Sequence, residues 1–390
     1  MQRRFALQYK ADEHRRLIGG KETIIHCHHY NARLQHTIEQ VTEIDGAKII
    51  RDSAEAVFAE HVANVIDPAD DEDTRVRVMT ELYAHLGFGR LDASRVAQGI
   101  VTADQSHYVE GWRSGFAETK RKACTFTEGY LQGGLRAATG KLVAVREHKC
   151  LNAGDDRCEF HVEARQEPPF ENHKQPFSFQ PDVLAGARVH SNVDEQAVID
   201  ALVQMPFKGS AEGLIPAFGV YLALTPADFY NLMCIQFVEQ MRAKGLFRTA
   251  RRLLAFAGET CAMNTFRGIM TSAEWEALIA PMIQQKQDNL FGLVALSNGF
   301  GWGDWRVTAH QPGETLTIES LNGYEAIGYR EYRGACDSPQ CFMLCGVAAG
   351  MMELVYGDGT VEERFGTHLS EEDRCICVDA SRCRFRVEAS

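Results

Sequence analysis

Two copies of one ligand pattern constrain this chain more than anything else in it. The first runs Glu147-x-x-Cys150-x7-Cys158 and the second Glu372-x-x-Cys375-x7-Cys383, each closing in C-x-F-x-V-E. A further cysteine precedes each pattern, Cys124 one helical segment upstream of the first and Cys341 in the corresponding place of the second. Thiolates and a carboxylate are the donors that close a tetrahedral zinc site with no position left for water. The residues between Cys150 and Cys158 include NAGDDR, a turn sequence able to fold two sulfurs back onto one ion. The chain is therefore expected to hold up to two structural zinc ions. Their ligands would be Cys124, Glu147, Cys150 and Cys158 in one site, and Cys341, Glu372, Cys375 and Cys383 in the other.

Other landmarks recur in the same order. Leu17-Ile18 returns as Leu214-Ile215, Tyr30-Asn31 as Tyr230-Asn231, and Gly87-Phe88-Gly89 as Gly299-Phe300-Gly301. Offsets of about two hundred residues in a fixed order point to duplication. Residues 166–181 are polar, proline-bearing and without periodicity, which reads as a linker between a first unit, 1–165, and a second, diverged copy, 182–390. In each unit apolar residues recur first at helical spacing and then in alternation, as in TRVRVMTELYAHLG followed by KLVAVREHKC and CEFHVEA. The expected class is α+β: two tandem repeats, each with helices packed on an antiparallel sheet that ends at the metal, arranged as an internal pseudo-dimer.

Bulk properties narrow the function. A net charge of −12 over 390 residues argues against direct nucleic-acid binding. No stretch is apolar enough to span a membrane, and the start lacks an apolar signal core, so a cytoplasmic location is expected. Twelve cysteines fit a reducing compartment with metal sites. Cys27, Cys234, Cys261, Cys336, Cys345 and Cys377, outside the two patterns, read as small buried hydrophobes.

Over roughly residues 82–164 and 293–389 the chain resembles the 4-vinyl reductase-type, or hydrocarbon-binding, domain. The resemblance rests on G-F-G-R-L, on D-Q-S or E-S-L-N before the next helix, on the glycine-rich helix and on E-x-x-C-x7-C-x-F. It implies a structural zinc on three cysteines and one glutamate, and an apolar ligand pocket between helices and sheet. Such domains form the sensory part of phenol- and toluene-responsive activators, and they are related in fold to a subunit of vesicle-tethering complexes. This chain departs from those activators. Gly134 to Leu142 has the wrong spacing for a phosphate loop, no basic helix-turn-helix is evident, and Thr102 and Ala103 stand where the sensors carry a phenol-holding tryptophan.

The stretch His26-Cys27-His28-His29-Tyr30-Asn31, at a strand-to-helix junction, carries the other chemistry. Clustered imidazoles bind transition metals and act as bases near neutral pH. The second copy keeps Tyr230-Asn231 but has no histidine there, so the fold does not require them. Two readings follow. In the first, the protein binds or senses a small hydrophobic or aromatic molecule through Tyr30, His107, Tyr108, Trp112 and Tyr130, and passes occupancy to a regulatory protein partner. In the second, it is an enzyme acting on such a molecule, with His26, His28 and His29 holding an additional metal or cofactor or serving as acid–base groups. Hydrolytic, lyase and redox chemistry stay open, as do a scaffold role and a homodimer.

Overall fold

The computed structural model describes residues 4–116, 120–179 and 189–390. The first unit contains β1 (Gln8–Lys10), β2 (Arg15–Ile18), β3 (Lys21–Cys27), α1 (His28–Glu39), α2 (Gly46–Val65), α3 (Glu72–His85), β4 (Gly89–Asp92), β5 (Ile100–Ser106), α4 (His107–Gly115), α5 (Thr125–Thr139), β6 (Val143–Lys149) and β7 (Cys158–Ala164). The second contains α6 (Glu195–Gln204), β8 (Ile215–Ala217), β9 (Val220–Pro226), α7 (Ala227–Ala243) and α8 (Phe247–Cys261), which runs through a π-helical turn, Ala262–Phe266, into α9 (Arg267–Met270). It continues with α10 (Ala273–Leu278), α11 (Asp288–Gly299), β10 (Trp305–Gln311), β11 (Thr315–Ser320), α12 (Tyr324–Arg333), α13 (Phe342–Tyr356), α14 (Val361–Arg364), β12 (His368–Arg374) and β13 (Cys383–Ala389). The α+β class expected from the two periodicities is present.

Local chemistry sets the helix ends. The acidic run before α3 serves as a cap, with Asp71 Oδ1 accepting the Thr74 N–H (2.8 Å). Thr360 and Glu363 form a capping box, so Val361–Arg364 form a helical turn and the strand starts at His368. Residues 166–179 of the expected linker have no helix or strand, and Lys174 reaches Asp228 (2.5 Å) and Glu331 (2.6 Å) of the second unit. Residues 180 and 181, also expected in the linker, lie outside the described residues.

Within each unit an antiparallel sheet carries the repeat, ordered β4-β5-β7-β6 in the first and β10-β11-β13-β12 in the second. A third sheet, β1-β2-β3-β9-β8, crosses between the units and was not legible in the sequence. Its central pairing joins Thr23 to Pro226, Ile24 to Thr225, Ile25 to Leu224 and His26 to Ala223. With Tyr30 matched to Tyr230, this register is its own mirror: position 23 faces the counterpart of 26, and 26 faces the counterpart of 23. That is how an isologous contact is built.

Backbone hydrogen bonds correct one repeat assignment. Gly87 N–H bonds Ala84 O as Gly301 N–H bonds Asn298 O, and Phe88 N–H bonds Tyr83 O as Trp302 N–H bonds Ser297 O. The Leu224 N–H pairs with Leu86 O, and the Ile25 N–H with Phe300 O. Gly87-Phe88-Gly89 thus corresponds to Gly301-Trp302-Gly303, two residues beyond the identical Gly-Phe-Gly letters. The physical requirement is positive φ, at Gly87 (91°) and Gly89 (119°), met again at Gly301 (87°) and Gly303 (146°).

Glycines also bring helices close, as their spacing suggests. A Cβ on Gly129 would lie 2.4 Å from Arg51 O of α2, and one on Gly133 would lie 2.3 Å from Glu55 O. In the second unit Gly346 and Gly350 of α13 do the same against Ala255 O (1.8 Å) and Glu259 O (2.7 Å) of α8. Each helix pair therefore packs nearly backbone to backbone behind its sheet.

The seam encloses His26. Its ring stacks on Tyr30 (4.1 Å) and Trp302 (4.7 Å) and meets the edge of Tyr230 (5.0 Å). Neither ring nitrogen has a hydrogen-bond partner among the described residues, and burial lowers its pKa to about 3.

Two predictions follow from this packing. Gly133→Ala, which drives a methyl into the α2 backbone, should cost about 1–3 kcal/mol in denaturant unfolding. Gly115→Ala, with nothing within 4 Å, should leave stability unchanged or slightly raised. For His26, the unfolded chain takes up a proton below about pH 6.5 whereas the fold keeps the ring neutral down to about 3, so stability falls as pH drops through that window, by up to ~1.4 kcal/mol per pH unit. The advantage of His26→Phe over the parent in thermal midpoint should therefore grow from pH 7 to pH 5; a constant difference would contradict the buried neutral ring.

Candidate metal centres and ligand cleft

Each metal pattern closes where the N-terminus of a helix meets a hairpin. In the first unit Cys124, at the start of α5, faces Glu147 of β6 together with Cys150 and Cys158, and all four are buried. In the second, Cys341 before α13 faces Glu372, Cys375 and Cys383. In both groups the four donor atoms lie within 4.8 Å of one another. Cys124 and Cys158 sulfurs are 3.8 Å apart; in the second group the separations are 3.5, 3.8 and 4.0 Å. A tetrahedron with Zn–S bonds of about 2.3 Å has edges of about 3.8 Å. The same distances are far beyond a disulfide bond, and all these cysteines are free.

The carboxylates repeat one geometry. Glu147 Oε2 accepts the Cys124 N–H (3.0 Å) and Glu372 Oε2 the Cys341 N–H (2.9 Å). The other oxygen, Oε1, is buried without a hydrogen-bond partner in both. Burial, then the neighbouring Cys150, raises the Glu147 pKa to about 8; burial and Cys375 push Glu372 well above its ordinary value. An orphaned carboxylate oxygen beside three thiols is a donor set that a cation completes, so both groups could hold a metal ion. Two supporting residues escaped the sequence reading. Ser106 Oγ lies 3.4 Å from Cys124 Sγ, and Glu128 Oε1 accepts the Glu147 N–H (2.8 Å). Only the fold brings them there.

The histidine stretch is not one ligand set. It crosses from β3 into α1, so its side chains leave in different directions. His26 enters the seam. His28 Nδ1 accepts the Tyr221 N–H (3.1 Å), and burial, then His29, lowers its pKa to about 3. His29 Nδ1 meets Ser114 Oγ at 3.0 Å, and that hydroxyl donates to Glu110 O (2.9 Å). The same hydroxyl also reaches Gly111 O (3.1 Å), which ties Ser114 to its own helix. The three do not form a group able to hold a metal among the described residues.

The aromatic candidates lie in the core. Tyr30 O–H donates to Met343 Sδ (2.6 Å) and Tyr130 O–H to Met79 O (2.6 Å). His107 Nε2 lies 2.9 Å from Asn31 Nδ2, and Asn31 Oδ1 accepts the Tyr230 O–H (2.6 Å), linking the units. Tyr108 stacks on Phe126 (4.9 Å), and Trp112 contacts His36 edge-on (5.3 Å). The start of α4 is buried: His107, Tyr108 and Trp112 are 0, 2 and 0% exposed.

Of two hollows nearby, Tyr30 lines the smaller, and none of the five aromatic candidates lines the larger. A pocket of about 290 Å³ at the seam is lined by His29, Tyr30 and Arg33 of α1, by residues at the end of α4, and by Thr260, Cys261, Asn264 and Thr265 at the π-helical turn. A broader cleft of about 1100 Å³ opens between α3, the end of α5 and the sheet of the first unit, with Ala211 and Glu212 of the second unit at its edge. Its apolar lining includes Val76, Leu91, Ala103, Leu135, Val143 and Val162, with Arg77, Arg90, Asp104 and Lys141 among its charged residues. Thr102 and Ala103, the two small residues noted in the sequence, line it.

The second unit fills the equivalent place with its own chain. The Val189 N–H pairs with Val307 O (3.2 Å), and α6 lies on α11, where a Cβ on Gly299 would come within 2.3 Å of Leu202. A hollow of about 330 Å³ is left there, lined by Val189, Val193, Phe291, Val294, Trp305 and Val307 among others.

Comparison with known proteins agrees with the motif that organises the chain. Residues 112–164 match the V4R domain. No curated protein matches. Among solved structures, the phenol-responsive sensory domain of the transcription activator PoxR, with phenol, is similar at 15% identity and a TM-score of 0.39, over 50% of this chain and 90% of that one. The matched segment runs from Trp112, within α4, through the first cysteine and glutamate pattern to the end of β7, and is similar to the V4R, or 4-vinyl reductase-type, domain that this spacing resembles.

Proposed function

We propose that this protein binds a small hydrophobic or aromatic molecule in the cleft of its first unit, and that the two units form a pseudo-dimer in which the second serves as partner. The observation that carries the reading is the asymmetry of the clefts. The same place is open over an apolar floor in the first unit and filled by Val189, Val193 and α6 in the second. A site that needs apolar filling in one copy and lacks it in the other is suited to an apolar ligand. The walls Leu135, Thr139, Lys141, Val143, Arg157 and Val162 all fall within the matched domain. Ala103 in place of a large aromatic widens the cleft, which favours a ligand larger than phenol.

Zinc is the metal we assign to both Cys3Glu groups. Bound there it would tie the N-terminus of α5 to the β6–β7 hairpin, and α13 to β12–β13, with no open coordination position. Its role is then structural, and its binding free energy is folding free energy. Occupancy of the cleft would be read by a separate protein.

A second reading, an enzyme working at the seam pocket, has one observation in its favour. His29, whose Nδ1 lies 3.0 Å from Ser114 Oγ and whose pKa burial lowers, lines a pocket bordered by a π-helical turn, and such turns recur at functional sites.

Binding of an apolar fluorescent probe, 1-anilinonaphthalene-8-sulfonate, and its displacement by a panel of alkylphenols and longer hydrocarbons, separates the readings. One probe per chain is expected, weakened about tenfold or more by Val143→Arg and unchanged by Arg33→Ala. The opposite pattern would move the site to the seam pocket and sink the cleft assignment. For the metal, elemental analysis of untagged protein passed over a chelating resin should give two zinc ions per chain. Cys150→Ser and Cys375→Ser should each remove one and lower the thermal midpoint, and retention of both would overturn the assignment.

A further inference from the structure

The outer face of the first hairpin carries a second kind of donor set. In β6 the register against β7 shifts between Glu147 and Lys149, so His148 is the extra residue of a bulge. Glu147 is thereby committed to the buried metal group while His148 is exposed. In β7, Glu159 and His161 stand two apart and share one face, with Phe160 buried between them. His161 Nε2 lies 3.1 Å from Glu159 Oε1, and the rings of His148 and His161 stack at 4.3 Å and 16°. The three donor atoms all lie within 4.8 Å of one another.

The second unit shows what this face needs when it serves structure alone. Its hairpin has the same bulge, between Glu372 and Arg374, and its metal ligands fix the correspondence. The three positions there are Asp373, Arg384 and Arg386, one carboxylate held between two guanidinium groups. Arg384 bonds both Asp373 oxygens at 2.7 Å, and Arg386 Nε lies 2.7 Å from Oδ2. That set is closed and net cationic. In the first unit the guanidinium partners are replaced by a carboxylate and an imidazole, and the bulge carboxylate by a second imidazole, so the ion-pair network is gone.

We infer that His148, Glu159 and His161 form an exchangeable site for a divalent transition-metal ion, separate from the two buried Cys3Glu groups. Two imidazoles and one carboxylate suit zinc, nickel or copper, and three protein donors at a surface leave positions for water or an external ligand. Arg157 lies 3.6 Å from Glu159 Oε2 and leaves Oε1 toward the histidines. The nearby cations Arg157 and Lys149 weaken the attraction for a metal ion, which makes the site exchangeable.

The test uses the untagged full chain, titrated calorimetrically with Ni²⁺ alone at pH 7.5. One ion per chain is expected at this face, weakened about 10–100-fold by His148→Ala with His161→Ala. The triple variant His148→Asp, Glu159→Arg, His161→Arg installs the ion-pair cluster of the second unit, and it should remain folded and bind no Ni²⁺ at this face. Binding that survives in the triple variant, or no binding in the parent chain, would overturn the inference. Because the readout is metal uptake at the hairpin, it is independent of whether the cleft takes a ligand.

Discussion

Three thiols and a carboxylate buried together, twice, are the constraint on which the rest of this structure depends. A carboxylate in the interior with one oxygen unpartnered is costly unless a cation or a proton compensates it. The helix ahead of each hairpin is placed by that demand: the backbone N–H of Cys124 or Cys341 satisfies one oxygen and the sulfurs surround the other. Once α5 is pinned at its N-terminus, Gly129 and Gly133 let α2 approach to backbone contact. The sheet is then covered on one side, and the hairpin's other face and the mouth of the cleft are left to diverge.

The seam is a second constraint, of a different kind. Its pairing from Thr23 to Cys27 is self-complementary under the repeat, so one strand sequence pattern serves both partners. It also draws side chains of both units into one core, where His26 lies between Tyr30 and Trp302. The linkage is reinforced where the turn after α3 and the turn after α11 each give a carbonyl to the other unit's strand.

What could be read beforehand follows the range of the interactions. The metal groups were legible because donor chemistry and spacing are local, and the helices and hairpins because their periodicities are. The close approach at Gly129 and Gly133 was visible for the same reason. The seam sheet was not, since it pairs residues some two hundred positions apart with no polar marker. Nor was the burial of α4, because His107, Glu110 and Arg113 give its sequence a surface composition. The identical Gly-Phe-Gly letters misled by two residues because backbone conformation, not residue identity, fixes the equivalence. The outer face of the first hairpin passed unnoticed because His148 lies across the turn from Glu159 and His161. Only the bulge brings it to them.

Duplication turns the second unit into a control for the first. At four places the second copy meets the demands of folding by ion pairing or close packing. Asp228, the counterpart of His28, is held by Lys21 and Lys174. The cleft is filled by Val189 and the helix after it. The glycine-rich helix packs against α8 as its counterpart packs against α2. The outer hairpin face is closed by Arg384, Arg386 and Asp373. The first copy keeps the packing but departs from the other three, placing imidazoles, an open cleft of mixed polar and apolar lining, and a set of two imidazoles and a carboxylate where the second copy has none. Groups that folding does not need, and that carry specific chemistry, are where function is to be sought. By that argument a ligand is to be sought first in the first half, and the buried Cys3Glu donor groups are the part the two halves share.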